Sequence, residues 1–120
     1  MKIAISSDGK DLQSNVDQRF GRAAYFIIYD TDTDQYDVVE NTQNLQAAQG
    51  AGIQAAQNVV RQKVQLVISG NFGPKAFATL NAAGIKMAFR SSGNIRDAID
   101  AARGGEIEYA KDANVEGHWT

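Results

Sequence analysis

The chain contains no cysteine and only one histidine, His118, among its 120 residues. Without thiolates it cannot form disulfides, hold an iron–sulfur cluster or a zinc finger through cysteine, or use a thiol nucleophile. A single imidazole excludes a metal site built from two or more histidines of one copy. His118 is therefore the one imidazole candidate for a metal ligand, and it can contribute only if the C-terminal tail folds back.

Long apolar runs and a strong excess of charge are also lacking. No stretch of eighteen apolar residues occurs, so we expect no membrane span. The chain opens directly on an apolar strand rather than on a signal peptide, which predicts a cytoplasmic location. The net charge of −2 argues against general affinity for nucleic acid.

Hydrophobic periodicity predicts an α/β domain. Apolar and β-branched runs predict five strands, at residues 2–6, 25–29, 36–40, 64–69 and 85–89. Helical spacing predicts three helices, which begin near Gly50, Pro74 and Asn94. The order favours a mixed five-stranded sheet with three parallel strands, one antiparallel strand from a hairpin, and helices on both faces. We expect a single domain over residues 1–104 and a partly ordered tail over 105–120.

Two short loops each join the end of a predicted strand to the start of a predicted helix. Free N–H groups and the helix dipole make such junctions favourable for anions, and loops at the carboxyl ends of parallel strands gather at one edge of a sheet. Glycines let the backbone approach a ligand, and a lysine adds positive charge. The alternative is a pair of plain strand-to-helix turns. The candidate binding residues in these loops are Gly70, Asn71, Phe72, Gly73, Lys75, Ser92 and Gly93.

A third candidate lies in the long loop after the first strand. Arg19 and Arg22 flank Phe20 and Gly21, a pattern that suits an anionic or flat partner. The alternative is an ordinary solvated loop with Phe20 inserted into the core.

These motifs occur in an order that resembles the dinitrogenase iron–molybdenum cofactor biosynthesis family, from Met1 to about Arg103. The resemblance is carried by Ser7–Gly9, Val16–Ala23, Phe26–Ile28, Gly50–Gly52, Val67–Gly70, Gly73–Ala76 and Leu80–Ile85. It implies a ribonuclease H-like three-layer fold without nuclease activity. It also implies an accessory protein that binds or carries iron–molybdenum cofactor or its precursors. One branch of the family holds a molybdenum–copper sulfide cluster non-covalently.

At one position the chain departs from the family pattern. Arg19 stands where many members have a histidine, and a guanidinium does not coordinate metals. The resemblance then implies that the cluster is held by charge from Arg19, Arg22 and Lys75. Backbone N–H groups of residues 70–73 and 92–93 would add donors, and Phe20 and Phe72 would shield the cluster.

The leading hypothesis is a non-catalytic binding or carrier protein for a molybdenum-containing metal–sulfur cluster (Mo–Fe–S or Mo–Cu–S). Its expected partners are this cofactor and other cofactor-assembly or cluster-handling proteins, with no nucleic acid and no membrane. Two alternatives stay open: a protein-interaction module that binds no cofactor, and a small phosphoryl-transfer or nucleotide enzyme that uses the same helix N-termini. The sequence leaves the oligomeric state open.

Overall fold

A computed structural model describes residues 1–114, so His118 lies outside the described residues. The elements are β1 (Lys2–Ser7), β2 (Tyr25–Asp30), β3 (Gln35–Glu40), α1 (Ala51–Val60), β4 (Leu66–Ser69), α2 (Pro74–Ala82), β5 (Lys86–Phe89), α3 (Ile95–Arg103) and β6 (Glu108–Tyr109). Of the helices within this range, none has the length and apolar character that a membrane crossing requires.

The strands form one mixed sheet in the order β3-β2-β1-β4-β5-β6. Strands β1, β4 and β5 are parallel, whereas β2 runs against β1, β3 against β2, and β6 against β5. The hairpin and the three parallel strands were predicted correctly. The prediction of five strands was short by one, and two strands, β2 and β6, run against the parallel set rather than one. Strand β6 has only two residues, both exposed, so it carries no apolar alternation that a sequence could reveal.

Side chains that alternate along the strands divide the core into two layers. One face of the sheet packs against α1 and α2, and its buried set includes Ala4, Phe26, Ile28, Val67, Ala56, Val59 and Leu80. The other face packs against α3, with Ile3, Ile5, Ile27, Ile68, Ile95, Ala98 and Ile99. The expected helices on both faces are therefore present, two on one side and one on the other.

The three helices begin differently. Asn94 caps α3, where its side chain accepts the Asp97 N–H and the Asp97 carboxylate accepts the Asn94 N–H, a reciprocal capping box. Helices α1 and α2 instead have Gly50 and Gly73 at the cap position, with no side-chain hydrogen bond and no acidic residue in the first turn. Among the described residues, the positive ends of α1 and α2 are thus left without a capping side chain.

Candidate functional site

The carboxyl ends of the parallel strands meet at one edge of the sheet. Residues 8–24 follow β1, 70–73 follow β4, and 90–94 follow β5. Strand β3 also ends here, because Ser7, Tyr25 and Glu40 lie side by side in the register of β1, β2 and β3. All three helices therefore begin at this edge, and the long loop after β1 runs among their N-termini.

The long loop pairs directly with the loop after β4. Arg19 and Asn71 form an isolated parallel bridge, in which the Phe20 N–H donates to the Asn71 carbonyl over 3.3 Å. The Asn71 side-chain amide donates to the Gln18 carbonyl over 2.8 Å. The structure thus brings together Arg19, Phe20 and Asn71, which the sequence had proposed from separate motifs.

Two glycines make this packing possible. A Cβ on Gly70 would lie 2.1 Å from Oε1 of Gln18 and 2.8 Å from its Cα. A Cβ on Gly21 would lie 3.1 Å from the backbone nitrogen and the Cα of Gly52, in the first turn of α1. The segment 18–21 is therefore wedged between the β4 loop and the start of α1.

Two buried serines fix the start of this segment through hydrogen bonds. The Ser6 Oγ lies 2.8 Å from the Ser69 Oγ and 2.7 Å from the carbonyl oxygen of Asp17, and both serines are fully buried. The pair joins the ends of β1 and β4 and holds the residue from which the arginine-bearing turn begins. Sequence reasoning missed this pair, although polar residues at the ends of two buried strands were an available signal.

The cationic side chains of the site lack acidic partners within residues 1–114. Arg19, Arg22 and Lys75 are exposed, and no described carboxylate lies within 4.0 Å of their charged groups. The ion pairs found in this range, such as Arg103 with Asp34, involve the hairpin turn at the opposite edge of the sheet. Within residues 1–114 these three cations are therefore not neutralised by an ion pair, although Asp8, Asp11 and Asp17 also lie in the loop after β1.

Arg90, at the end of β5, is a further cation that the proposed site residues did not include. Its Nε is buried and has no hydrogen-bond partner among the described residues. Gln18 reaches the same strand end, where its side-chain amide lies 3.4 Å from the Arg90 carbonyl. Arg90 thus adds positive charge where the loops that follow β1 and β5 meet.

Phe20 and Phe72 occupy a different place from the one expected of cluster-shielding groups. Both rings are buried, and each contributes to the core over α1 and α2. The Phe20 ring packs between the tilted rings of Phe26 and Phe72, with ring centroids 5.3 Å apart in both pairs. In this conformation the rings cannot contact a bound group, so the expected shielding role is corrected to one of holding the loops onto the core.

Ser92 and Gly93 also lie at the carboxyl ends of the parallel strands, but they contact a different part of the loop after β1. Gly93 has a φ of 95°, and its carbonyl accepts the Val16 N–H over 3.1 Å. The β5 loop therefore packs against residues 14–16, whereas the β4 loop packs against residues 18–20. The proposed binding residues form two neighbouring groups rather than one continuous cluster, with Arg22 near the start of α1.

The donor set favours an anion over a bare metal ion. Within residues 1–114 no three histidine, aspartate or glutamate side chains converge, and the sequence has no cysteine. The N–H groups of Gly73, Lys75 and Ala76 have no partner among the described residues; Lys75 is exposed, whereas Gly73 and Ala76 are buried. Together with the nearby guanidinium and ammonium groups, these donors suit sulfide or oxo groups on the outside of a cluster.

The comparisons with known proteins point to one family. The model of the dinitrogenase iron–molybdenum cofactor family matches residues 1–105. No curated protein matches the chain significantly.

Several solved structures resemble the chain along nearly all of its length. The apo form of the orange protein from Desulfovibrio gigas is 36% identical, with a TM-score of 0.89, over 95% of this chain and 96% of that one. A candidate NifB protein of the DUF35 family from Thermotoga is 41% identical, with a TM-score of 0.81, over 95% and 97%. A dinitrogenase-like protein from Methanocaldococcus jannaschii, 18% identical with a TM-score of 0.71 over 93% and 96%, shares the fold.

Proposed function

This chain belongs to the dinitrogenase iron–molybdenum cofactor family, and we propose that it is a non-catalytic binding or carrier protein for an anionic metal–sulfur cofactor. The observation that carries the proposal is the set of exposed cations, Arg19, Arg22 and Lys75, beside the uncapped starts of α1 and α2. The strand order, with β2 antiparallel beside β1, also supports the ribonuclease H-like assignment.

Charge and backbone donors hold the cofactor in this proposal. A thiometallate cluster presents negative sulfur atoms, which accept hydrogen bonds from guanidinium groups and backbone N–H groups. Arg19 is anchored through its backbone, because its N–H donates to the Asp17 carboxylate over 2.9 Å. Its side chain is therefore presented from a fixed turn, which reduces the entropy lost on binding.

The cofactor we propose is a molybdenum-containing cluster, either a precursor of iron–molybdenum cofactor or a molybdenum–copper sulfide. The family description supports the first. The orange protein was solved as an apo form, which supports a bound group in that relative. The sequence has no cysteine, so no thiolate binds the cluster; in this proposal charge and hydrogen bonds hold it, and it can be passed on to a cluster-handling protein.

Titration with tetrathiomolybdate, followed by visible absorbance, tests the proposal. We expect saturable binding, and a loss of affinity of about tenfold or more in Arg19→Gln/Arg22→Gln, because two charge-assisted contacts are removed. Arg61→Gln/Lys86→Gln removes the same charge at the other end of the molecule and serves as the matched control. Absence of saturable binding, or equal losses in both double variants, would contradict the proposal. Metal analysis of anaerobically purified protein then identifies the native cluster.

A protein-interaction module is the second candidate, and Leu45 favours it. This leucine is 91% exposed and lines, with Arg22 and Gln43, a hollow of about 230 Å³ beside the start of α1. The hollow would offer a partner an apolar contact beside the Arg22 charge, whereas a single exposed leucine is also normal on a monomeric protein. A colourless protein that binds a specific partner through Leu45 would favour this function over the first.

A further inference from the structure

The segment Glu106–Asn114, here called the strap, leads from the end of α3 back to the candidate site. It starts with a hydrogen bond from the Glu106 N–H to the Ala101 carbonyl over 2.8 Å. It then adds β6 to the edge of β5 and is held again by the Ala110 N–H, which donates to the Met87 carbonyl over 2.8 Å. Its last described residue, Asn114, lies on the loop after β4.

Asn114 makes four hydrogen bonds to this loop. Its side-chain oxygen accepts the Phe72 N–H over 2.7 Å, and its side-chain amide donates to the Gly70 carbonyl over 3.3 Å and to the Asn71 Oδ1 over 3.0 Å. Its backbone N–H donates to the Phe72 carbonyl over 3.1 Å. A single exposed asparagine thus binds the Gly70 carbonyl, the Asn71 side-chain oxygen and both backbone polar groups of Phe72.

The Phe72 N–H lies just before the free N–H groups at the start of α2. It is therefore among the donors that an anion bound at this helix end would use. Phe72 itself is buried, and the exposed Asn114 side chain covers its N–H. The carboxamide oxygen of Asn114 consequently takes a place that a sulfur or oxygen atom of the anion would take.

We propose that Asn114 is an internal competitor for the anion, a residue that sets the affinity of the site by occupying the Phe72 N–H until a ligand displaces it. The inference rests on the proposed function. An anion is a stronger acceptor than a neutral carboxamide at a helix N-terminus, so the exchange favours the ligand. The strap is attached to β5 through the short strand β6. Its C-terminal end, at Asn114, can therefore leave the loop after β4 without unfolding the core.

Three variants test this competition by tetrathiomolybdate titration. Asn114→Ala frees the Phe72 N–H, and we expect it to tighten binding by ~2- to 10-fold, the value of one or two net hydrogen bonds. Asn114→Asp keeps the acceptor and adds a negative charge to the site, so we expect weaker binding. Asn81→Ala, a substitution of the same type at an exposed position of α2, is the matched control and leaves the affinity unchanged. Unchanged or weaker binding by Asn114→Ala would overturn the proposal.

Hydrogen exchange of the Phe72 amide tests the contact without any ligand. We expect slow exchange in the wild-type protein and at least tenfold faster exchange in Asn114→Ala. Equal exchange would refute the contact, and with it the competition. If neither protein binds tetrathiomolybdate, the proposed function and this inference both fail. If the wild-type protein binds and Asn114→Ala binds no more tightly, only the inference fails.

Discussion

Gly70 is the residue at which the loops after β1 and β4 come closest. A side chain there would meet the Gln18 Cα at 2.8 Å, a backbone contact that no rotamer change relieves. We expect Gly70→Ala to lower the free energy of unfolding by about 1–3 kcal/mol and to weaken anion binding, because Arg19 adjoins Gln18. Urea denaturation and tetrathiomolybdate titration measure the two effects.

Gly104→Ala is the control for this substitution. Gly104 ends α3 with a φ of −81°, which alanine adopts without strain, and its nearest neighbour would be an atom 3.4 Å away. Its stability should stay within about 0.5 kcal/mol of the wild-type value. If Gly70→Ala were as well tolerated as Gly104→Ala, the close approach of the loops would not restrict position 70.

Asp34 makes the stability of the hairpin turn depend on pH. Its carboxylate accepts the Tyr29 hydroxyl over 2.5 Å and pairs with Arg103, and these hydrogen bonds lower the pKa of Asp34 below its ordinary value. A lowered pKa in the folded state contributes stability at pH values above the unfolded pKa, and this stability is lost as the pH falls through the folded value. This contribution to stability is therefore lost at pH values below about 4.

Thermal unfolding of Asp34→Asn at several pH values tests this dependence. Asparagine tolerates the left-handed backbone at this position, where φ is 58°, so the variant changes mainly the charge. We expect a lower Tm than that of the wild-type protein at pH 7, and a gap that narrows as the pH falls below about 4. A Tm difference of constant size at all pH values would show that the ion pair adds nothing to stability. Asp37→Asn, on an exposed strand, is the control.

Among the elements, the N-termini of the three helices differ in how well they suit an anion. Helix α3 satisfies its own N-terminus through Asn94 and carries Asp97 in its first turn. The Asp97 carboxylate lies 3.3 Å from where a Cβ of Gly93 would be, so negative charge already faces Ser92 and Gly93. Helices α1 and α2 have no capping side chain among the described residues, so they are the binding elements in the function proposed above.

Removing the cap of α3 should therefore change stability and leave binding intact. We expect Asn94→Ala to lower the free energy of unfolding by about 1 kcal/mol, the usual value of an N-cap. Tetrathiomolybdate affinity should stay within about twofold of the wild-type value, since α3 is not a binding element here. Asn81→Ala, the same substitution at an exposed position near the end of α2, is the control for both measurements. An affinity loss as large as that of Arg19→Gln/Arg22→Gln would place α3 in the site.

At the scale of the whole molecule, the sequence predicted what depends on local periodicity and missed what depends on long-range pairing. The three helices and the parallel strands have clear apolar patterns, and Pro74 and Asn94 mark the starts of α2 and α3. The Ser6–Ser69 pair joins residues 63 positions apart, and Asn114 acts on a loop more than 40 positions away, so neither role has a local signature. Whether Phe20 in a loop is buried or exposed is likewise decided by the packing of Phe26 and Phe72 around it.

The charge of the whole chain leads to the last prediction, which concerns ionic strength. The chain has a net charge of −2, so an anion is repelled at long range and attracted only near the site. Salt screens the charges of exposed side chains, with a Debye length of about 10 Å at 0.1 M. We expect the Kd for tetrathiomolybdate to rise several-fold between about 0.05 and 0.5 M NaCl, as the attraction of Arg19, Arg22 and Lys75 is screened.

Arg19→Gln/Arg22→Gln should show a much shallower dependence, and Arg61→Gln/Lys86→Gln should retain the wild-type slope. A Kd that does not change with salt would contradict electrostatic binding and indicate direct coordination of the metal.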